Sequence, residues 1–126
     1  MKKVSILMIL LIALSACQKD FEERSITYLI TGLANPYRVT YVNETGEATT
    51  ENIAPVNDDQ VWHYNFTAQQ GDILYMFAEF TDIELVPTKF KFRILINGKV
   101  FKESFGYDHN IGDTLFRVKR AGTVPF

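Results

Sequence analysis

Few side chains in this sequence are of the kinds that perform catalysis. The two histidines, His63 and His109, stand far apart, and no serine has the Gly-x-Ser-x-Gly setting of a nucleophile elbow. Glu79, Asp82 and Glu84 supply carboxylates, and a glycosidase needs only two of these, about 5 to 9.5 Å apart. Because their spacing singles out no pair, we expect no catalytic residue, with a small carboxylate-dependent hydrolase as the alternative.

Carboxylates also bind metal ions. Asp58 and Asp59 stand together in a polar stretch, and one residue separates Asp82 from Glu84. Calcium takes about six to eight oxygen ligands, and neither group has the spaced oxygens and the glycine of an EF-hand loop. Zinc would need more cysteines and histidines than the chain has. We therefore expect no metal and no cofactor.

The only thiol, Cys17, follows a segment with the composition of a secretory leader. Lys2 and Lys3 precede a largely apolar stretch over residues 4–14, and two small residues complete the segment. A membrane-spanning helix would need about 20 apolar residues, and this stretch is shorter. The pattern predicts a signal peptide over residues 1–16 that is cleaved from the mature protein.

The tetrapeptide Leu14-Ser15-Ala16-Cys17 resembles the lipobox of bacterial lipoproteins. The resemblance implies that the Cys17 sulfur receives a diacylglycerol, that the leader is cut before it, and that the new N-terminus is acylated. Two or more acyl chains, at about 0.8 kcal/mol per buried CH₂, give a stable membrane anchor. Cys17 is then unavailable as a nucleophile, metal ligand or disulfide partner. The alternative is an ordinary leader with a chance cysteine.

The residues after the cysteine resemble the surface-export signal of Bacteroidota lipoproteins. The matching residues are Gln18, Lys19, Asp20, Glu22 and Glu23. Phe21 interrupts the acidic run. The resemblance implies a domain on the outer face of the outer membrane, attached through a lipidated tether over residues 17–24. A plain charged spacer, with the domain on the periplasmic face, is the alternative.

Composition limits what the remaining 110 residues can be. They suffice for one domain with one core, which we place at residues 25–126. The chain has 13 Lys and Arg and 15 Asp and Glu, and two of the lysines lie in the leader, so the formal net charge of the mature chain is −4. That charge disfavours nucleic acid and anionic membrane surfaces as partners. Ten Phe, six Tyr and one Trp indicate a packed domain.

From Ser25 onward the dominant periodicity is two, in runs separated by Gly, Pro, Asn and Asp. The clearest half-buried strand is 90–96, where apolar residues alternate with cations, and Asn97-Gly98 follows it as a hairpin turn. Residues 73–80 are apolar on both faces, which predicts a central strand that is covered on each side. Residues 50–54 precede a proline and predict an edge strand.

About eight short strands in one domain indicate an all-β, antiparallel sandwich of two sheets. We expect its core to centre on Trp62 and the apolar face of residues 90–96, with His63 facing solvent and His109 in a loop.

Turn and core positions of this domain resemble the small β-sandwich of the MmpS-like membrane and lipoproteins. The matching residues are Tyr28, Thr31-Gly32, Thr40-Tyr41, Asn43, Gly46, Trp62, Phe66-Thr67-Ala68, Gly71-Asp72, Ala78 and Ile96-Asn97-Gly98-Lys99. The resemblance implies an immunoglobulin-like sandwich of seven to eight strands that is held to a membrane and has no enzymatic activity. In mycobacteria such domains accompany lipid and siderophore exporters.

The function expected from this combination is a non-enzymatic binding or accessory module of the cell envelope. Its partner would be an envelope protein, a glycan or a lipid, and not nucleic acid. Tyr37, Phe105 and Tyr107 lie near turns and are candidate contact residues, with a place in the core as the alternative for each. A purely structural envelope protein is a further alternative. The triplet Asp113-Thr114-Leu115 resembles the O-glycosylation signal of Bacteroidota envelope proteins, which predicts modification of Thr114.

Overall fold

The computed structural model describes residues 23–81, 90–105, 108–111 and 115–125, with only the backbone for residues 109–111. Several predicted sites lie outside these ranges: Cys17, Gln18, Lys19, Asp20, Glu22, Asp82, Glu84, Tyr107 and Thr114. Glu23 is described and is exposed immediately before the first strand. No helix among the described residues has the length and apolar character needed to cross a membrane.

Nine strands form the described part of the chain. They are β1 Arg24–Thr31, β2 Tyr37–Val42, β3 Ala48–Ile53, β4 Trp62–Ala68, β5 Ile73–Phe80, β6 Lys91–Ile96, β7 Lys99–Ser104, β8 His109–Ile111 and β9 Leu115–Thr123. One sheet has the order β4-β1-β6-β7 and the other β3-β2-β5-β9-β8, and every neighbouring pair is antiparallel. The predicted all-β sandwich of two sheets is confirmed.

The central strands of the two sheets pair as they do in an immunoglobulin sandwich. β1 pairs with β4 in one sheet and β2 pairs with β5 in the other, as strands B and E and strands C and F do in that fold. β3 and β9 flank this second pair in the positions of strands C′ and G. The β6–β7 hairpin is a departure, because it occupies the place of strand A beside β1 but follows the fifth strand in the chain.

Alternate residues of the strands meet between the sheets and form the core. The core includes Trp62 and the predicted apolar face of the 90–96 strand, of which Phe90, Phe92 and Ile94 are almost completely buried. His63, next to Trp62, is exposed as predicted. This alternation removes one face of each sheet from water and leaves the other face to solvent.

One tyrosine joins the two sheets through the core. Tyr28 of β1 is fully buried, and its hydroxyl donates a 2.8 Å hydrogen bond to the Val42 carbonyl of β2. The same oxygen accepts a 3.3 Å hydrogen bond from the Tyr75 amide of β5. At this end, the last residue pair of the β2–β5 ladder is Tyr41 with Met76. The next residues along the two strands are Val42 and Tyr75, and the Tyr28 hydroxyl bridges the carbonyl of one and the amide of the other.

The predicted hairpin turn at Asn97-Gly98 is confirmed. Both residues have positive φ, 52° and 78°, as a type I′ turn requires. Asn97 also fixes the start of β1, because its amide donates to the Ser25 carbonyl at 2.8 Å and its Oδ1 accepts from the Ser25 amide at 3.0 Å.

The strands differ from the prediction in three respects. β8 was not expected, and His109 lies in this strand, paired with Arg117, rather than in a loop. A strand of three residues is too short to show a periodicity. β1 begins at Arg24, inside the segment predicted as tether. The predicted edge strand over residues 50–54 is confirmed as β3, which begins earlier, at Ala48, and is the outermost strand of its sheet.

The antiparallel registers define two ends of the sandwich. The entry end, where the described chain begins, holds Arg24 opposite Ala68 and the Asn97-Gly98 turn. The far end holds Thr31, Phe80 and Ser104. β1 has eight residues, so the two ends are about 23 Å apart at roughly 3.3 Å per residue.

Candidate binding face

The central strand of the five-stranded sheet has one open side. Leu74 and Met76 of β5 point into the core and are fully buried, whereas Tyr75, Phe77 and Glu79 point to the outer face and are each partly exposed. The expectation that residues 73–80 would be covered on both faces is therefore wrong for the described part of the chain. The error arose because an apolar sequence on both faces does not specify a covering layer.

The neighbouring strands place a hydroxyl group and a cation beside Phe77 and an alanine beside Tyr75. Phe77 lies opposite Thr40 of β2 and Lys119 of β9. Tyr75 lies opposite Ala121 of β9. We call this surface the candidate binding face and define it by Arg38, Tyr75, Phe77, Glu79, Arg117 and Lys119, which all lie on the outer side of the sheet.

Charged residues form a row across this face near the far end. Arg38 lies opposite Glu79 in the β2–β5 ladder, and Glu79 lies opposite Arg117 in the β5–β9 ladder. Arg117 Nε is 3.8 Å from Glu79 Oε1, which is beyond hydrogen-bonding distance. The Nε atom is buried and has no hydrogen-bond partner among the described residues. With Lys119, the face has three cations and one carboxylate.

The row of charges borders an open pocket of about 300 Å³ at the far end. The described residues that line it are Pro36, Tyr37, Arg38, Asn52, Ile53, Ala54, Glu79, Phe80, Thr81 and Leu115. Arg38 and Glu79 are the charged residues of this lining, Asn52 and Thr81 are polar, and the other residues are apolar or aromatic. The pocket therefore extends the candidate binding face.

A second pocket, of about 380 Å³, lies at the entry end between the β2–β3 loop and the β4–β5 corner. Two of its polar side chains, Asn43 and Asp72, are engaged in the turns themselves. Asn43 Oδ1 accepts hydrogen bonds from the amides of Thr45 and Glu47, at 3.0 and 3.1 Å. Asp72 Oδ2 accepts from the Gln69 amide at 2.8 Å. These contacts give the loop residues a structural role.

The candidate contact residues of the sequence analysis have different surroundings. Tyr37 is a core residue, 7% exposed, and burial raises the pKa of its phenol, with the nearby Glu51 carboxylate adding to the shift. Phe105 is 55% exposed, and the guanidinium carbon of Arg93 lies 5.7 Å from its ring centroid. Tyr37 therefore takes the core alternative, although it also lines the far-end pocket, and Phe105 lies at the surface.

The candidate carboxylates do not come together in the described part of the chain. Glu79 lines the far-end pocket with Arg38, and no second carboxylate lines this pocket among the described residues. Asp58 and Asp59 are exposed in the β3–β4 loop. Within the described ranges, no group of three or more histidine, cysteine or acidic side chains is placed to hold a metal ion.

Five residues of the face were missed by the sequence analysis: Arg38, Tyr75, Phe77, Arg117 and Lys119. The two of these cations that lie on β9 alternate with Phe116 and Val118, a period-two pattern that predicts a half-exposed strand. The sequence does not show that this strand lies beside β5, which is what brings the cations to the aromatic rings.

Comparison with known proteins found no family model that matches the sequence and no similar curated protein. The resemblance to the MmpS-like proteins stays a prediction that rests on the residues named for it above.

Proposed function

We propose that the protein is a lipid-anchored, non-enzymatic binding module of the bacterial outer membrane that displays its candidate binding face at the cell surface. The observation that supports this proposal most is the position of the far-end pocket. The described chain begins at the entry end, and the pocket with Arg38 and Glu79 lies at the opposite end.

The length of the tether adds to this argument. Acylation of Cys17 would leave seven peptide steps before β1 begins at Arg24, which span at most about 25 Å when fully extended. The entry end would then be the part of the domain nearest the lipid headgroups. The candidate binding face and its pocket would remain accessible to a partner in the envelope, which we take to be a protein, a glycan or a lipid.

The anchor is tested on the protein isolated from its native membrane. Mass analysis of the amino-terminal peptide should show Cys17 with a diacylglycerol and an acylated amine. A Cys17→Ser variant should accumulate with its leader attached or leave the outer membrane. An unmodified thiol at Cys17 in the native protein would contradict the proposal.

Surface display and partner binding are tested together on living cells. A photo-cross-linking amino acid replaces Lys119 on the candidate binding face or, as the matched control, Lys91 on the outer face of the other sheet. Both lysines are exposed strand residues. We expect trypsin to remove the domain from intact cells, and we expect a cross-linked product at position 119 that a Phe77→Asp change abolishes.

Equal cross-linking at positions 119 and 91 would contradict a binding role for the face. Products that contain only a second copy of the chain would favour a structural envelope protein instead. Protection from trypsin until the outer membrane is opened would place the domain on the periplasmic side.

A further inference from the structure

We propose that the candidate binding face holds an acidic polysaccharide, a sugar chain with carboxylate groups, and this inference rests on the binding role proposed above. The sugar rings would pack on Tyr75 and Phe77, and the carboxylates would pair with Arg38, Arg117 and Lys119.

Charge complementarity is the first argument. The complete chain has a formal net charge of −2, yet the six residues that define the candidate binding face include three cations against Glu79. Asp108 also lines a pocket beside Phe77, Arg117 and Lys119, and its carboxylate is paired with Arg120. The excess positive charge comes from two separate strands, β2 and β9, that flank the strand with the aromatic residues. A ligand for this face is therefore an anion, whereas the rest of the domain repels anions on average.

The guanidinium of Arg117 is the second argument. Its side chain is 38% exposed, and its nearest carboxylate, on Glu79, is too distant for a hydrogen bond. Its Nε forms a 3.8 Å ion pair with Glu79 Oε1, and this buried atom makes no hydrogen bond with the described residues. Arginine presents a planar fork of donors that matches a carboxylate. The exposed part of the Arg117 side chain can offer its positive charge to a ligand, whereas the buried Nε lies against Glu79.

The aromatic residues distinguish a polysaccharide from other anions. Tyr75 and Phe77 are two residues apart on one strand, so their side chains share a face at a spacing of about 7 Å. Flat aromatic surfaces in contact with water favour ligands that present apolar faces together with hydroxyl groups, as sugar rings do. A strand face that continues into an open pocket accommodates an extended chain, and an acidic sugar places its charges at intervals between apolar ring faces.

A bilayer surface fits these observations less well. A membrane of anionic lipids presents a continuous layer of charge, and the mature chain, at −4, is repelled by it on average. Isolated cations beside aromatic rings match a ligand in which charged groups and apolar rings alternate.

The test uses the full acylated protein in detergent micelles and three immobilised uronate chains: polygalacturonate, alginate and hyaluronan. Fully methyl-esterified polygalacturonate is the control ligand, because it keeps the sugar backbone and removes the charge. Vesicles with anionic phospholipid form a separate arm. We expect binding to at least one uronate chain that weakens with salt, and neither the ester nor the vesicles should bind comparably.

Two double variants locate the site. Arg38→Ala with Lys119→Ala removes two cations from the candidate binding face, and Lys91→Ala with Lys99→Ala removes two exposed lysines from the other sheet. We expect the first pair to weaken binding about tenfold and the second less than about twofold. Phe77→Ala should weaken binding about fivefold. Thermal unfolding checks that each variant is folded, and Tyr75→Ala replaces Phe77→Ala if the latter is not.

The inference is overturned if no uronate chain binds, if the ester or the vesicles bind as well as the acid, or if both double variants weaken binding equally. Cross-linking at position 119 on cells, together with the absence of uronate binding, would overturn the ligand class alone and leave the proposed binding role standing. The absence of both would overturn the two proposals together.

Discussion

The hydroxyl group of Tyr41 donates a 2.5 Å hydrogen bond to Glu51 Oε2. Tyr41 belongs to β2 and is 3% exposed, whereas Glu51 is a partly exposed residue of the edge strand β3. Burial raises the pKa of the Tyr41 phenol, and the hydrogen bond to the carboxylate raises it further. The pair fixes an edge strand that the sheet holds on only one side.

Removal of this hydrogen bond should loosen β3. We expect Tyr41→Phe to lower the free energy of unfolding by about 1–2 kcal/mol, because the donor in this bond to a charged group is lost. Urea unfolding measures the change. Tyr75→Phe is the matched control, since it deletes a hydroxyl on the outer face, and it should change the stability by less than about 0.5 kcal/mol. Equal losses in the two variants would contradict the role given to the Tyr41–Glu51 bond.

Removal of the Tyr28 hydroxyl should lower the free energy of unfolding. Tyr28→Phe leaves the Val42 carbonyl and the Tyr75 amide without their shared partner. Leaving buried polar groups unsatisfied costs about 1–3 kcal/mol, so we expect a loss of that size in chemical unfolding. Faster hydrogen exchange at the Tyr75 amide, in comparison with the other amides of β5, would locate the effect. An unchanged exchange rate would contradict the bridging role.

Alkaline pH should destabilise the fold. Burial raises the pKa of Tyr28 to about 12, and burial also raises the pKa values of Tyr37 and Tyr41. These phenols bind their protons more tightly in the folded state than in the unfolded state, so they contribute to the free energy of unfolding. This contribution is complete below about pH 10 and is lost as the pH rises toward about 12. For Tyr28 the loss is on the order of 2–3 kcal/mol. Stability measured between pH 8 and 12 should fall less steeply in Tyr28→Phe.

The close approach of the two sheets at Gly122 predicts the effect of one added methyl group. A Cβ atom at this position of β9 would lie 2.8 Å from Cε1 and 3.0 Å from Cζ of the Phe101 ring in β7. We expect Gly122→Ala to cost about 1–3 kcal/mol, because the ring or the strands must move. Adding Phe101→Leu should restore part of the loss.

The comparison that checks this prediction is Ala121→Ser at the neighbouring, exposed position of β9. It should change the melting temperature little. If Gly122→Ala proves equally harmless, or if Phe101→Leu fails to relieve it, the contact between β7 and β9 is not the cause.

The sequence predicts those elements whose local chemistry determines their structure. Lys91 and Arg93 alternate with Phe92 and Ile94, and one residue type faces water while the other enters the core. Asn97 followed by glycine specifies a turn through the positive φ that both residues adopt. In each case the signal and the structure lie within a few residues of each other.

The candidate binding face could not be predicted because its residues meet only through strand pairing. Arg38, Glu79 and Arg117 come from three strands that are well separated in the chain, and the registers of β2–β5 and β5–β9 place them in one row. No local pattern encodes these registers. The strand β5 was predicted to be central, which is correct, but its sequence does not show which of its two apolar faces the second sheet covers.

The position of β1 determines how the domain responds to a pull on its amino-terminal end. β1 has a neighbour on each side, β4 and β6, and Ser25 is held twice by Asn97. A force along the strand axis would load the hydrogen bonds on both of its edges simultaneously, in shear. A strand at the margin of a sheet would instead peel away one bond at a time. The amino-terminal strand is thus built to transmit mechanical load into the whole sheet.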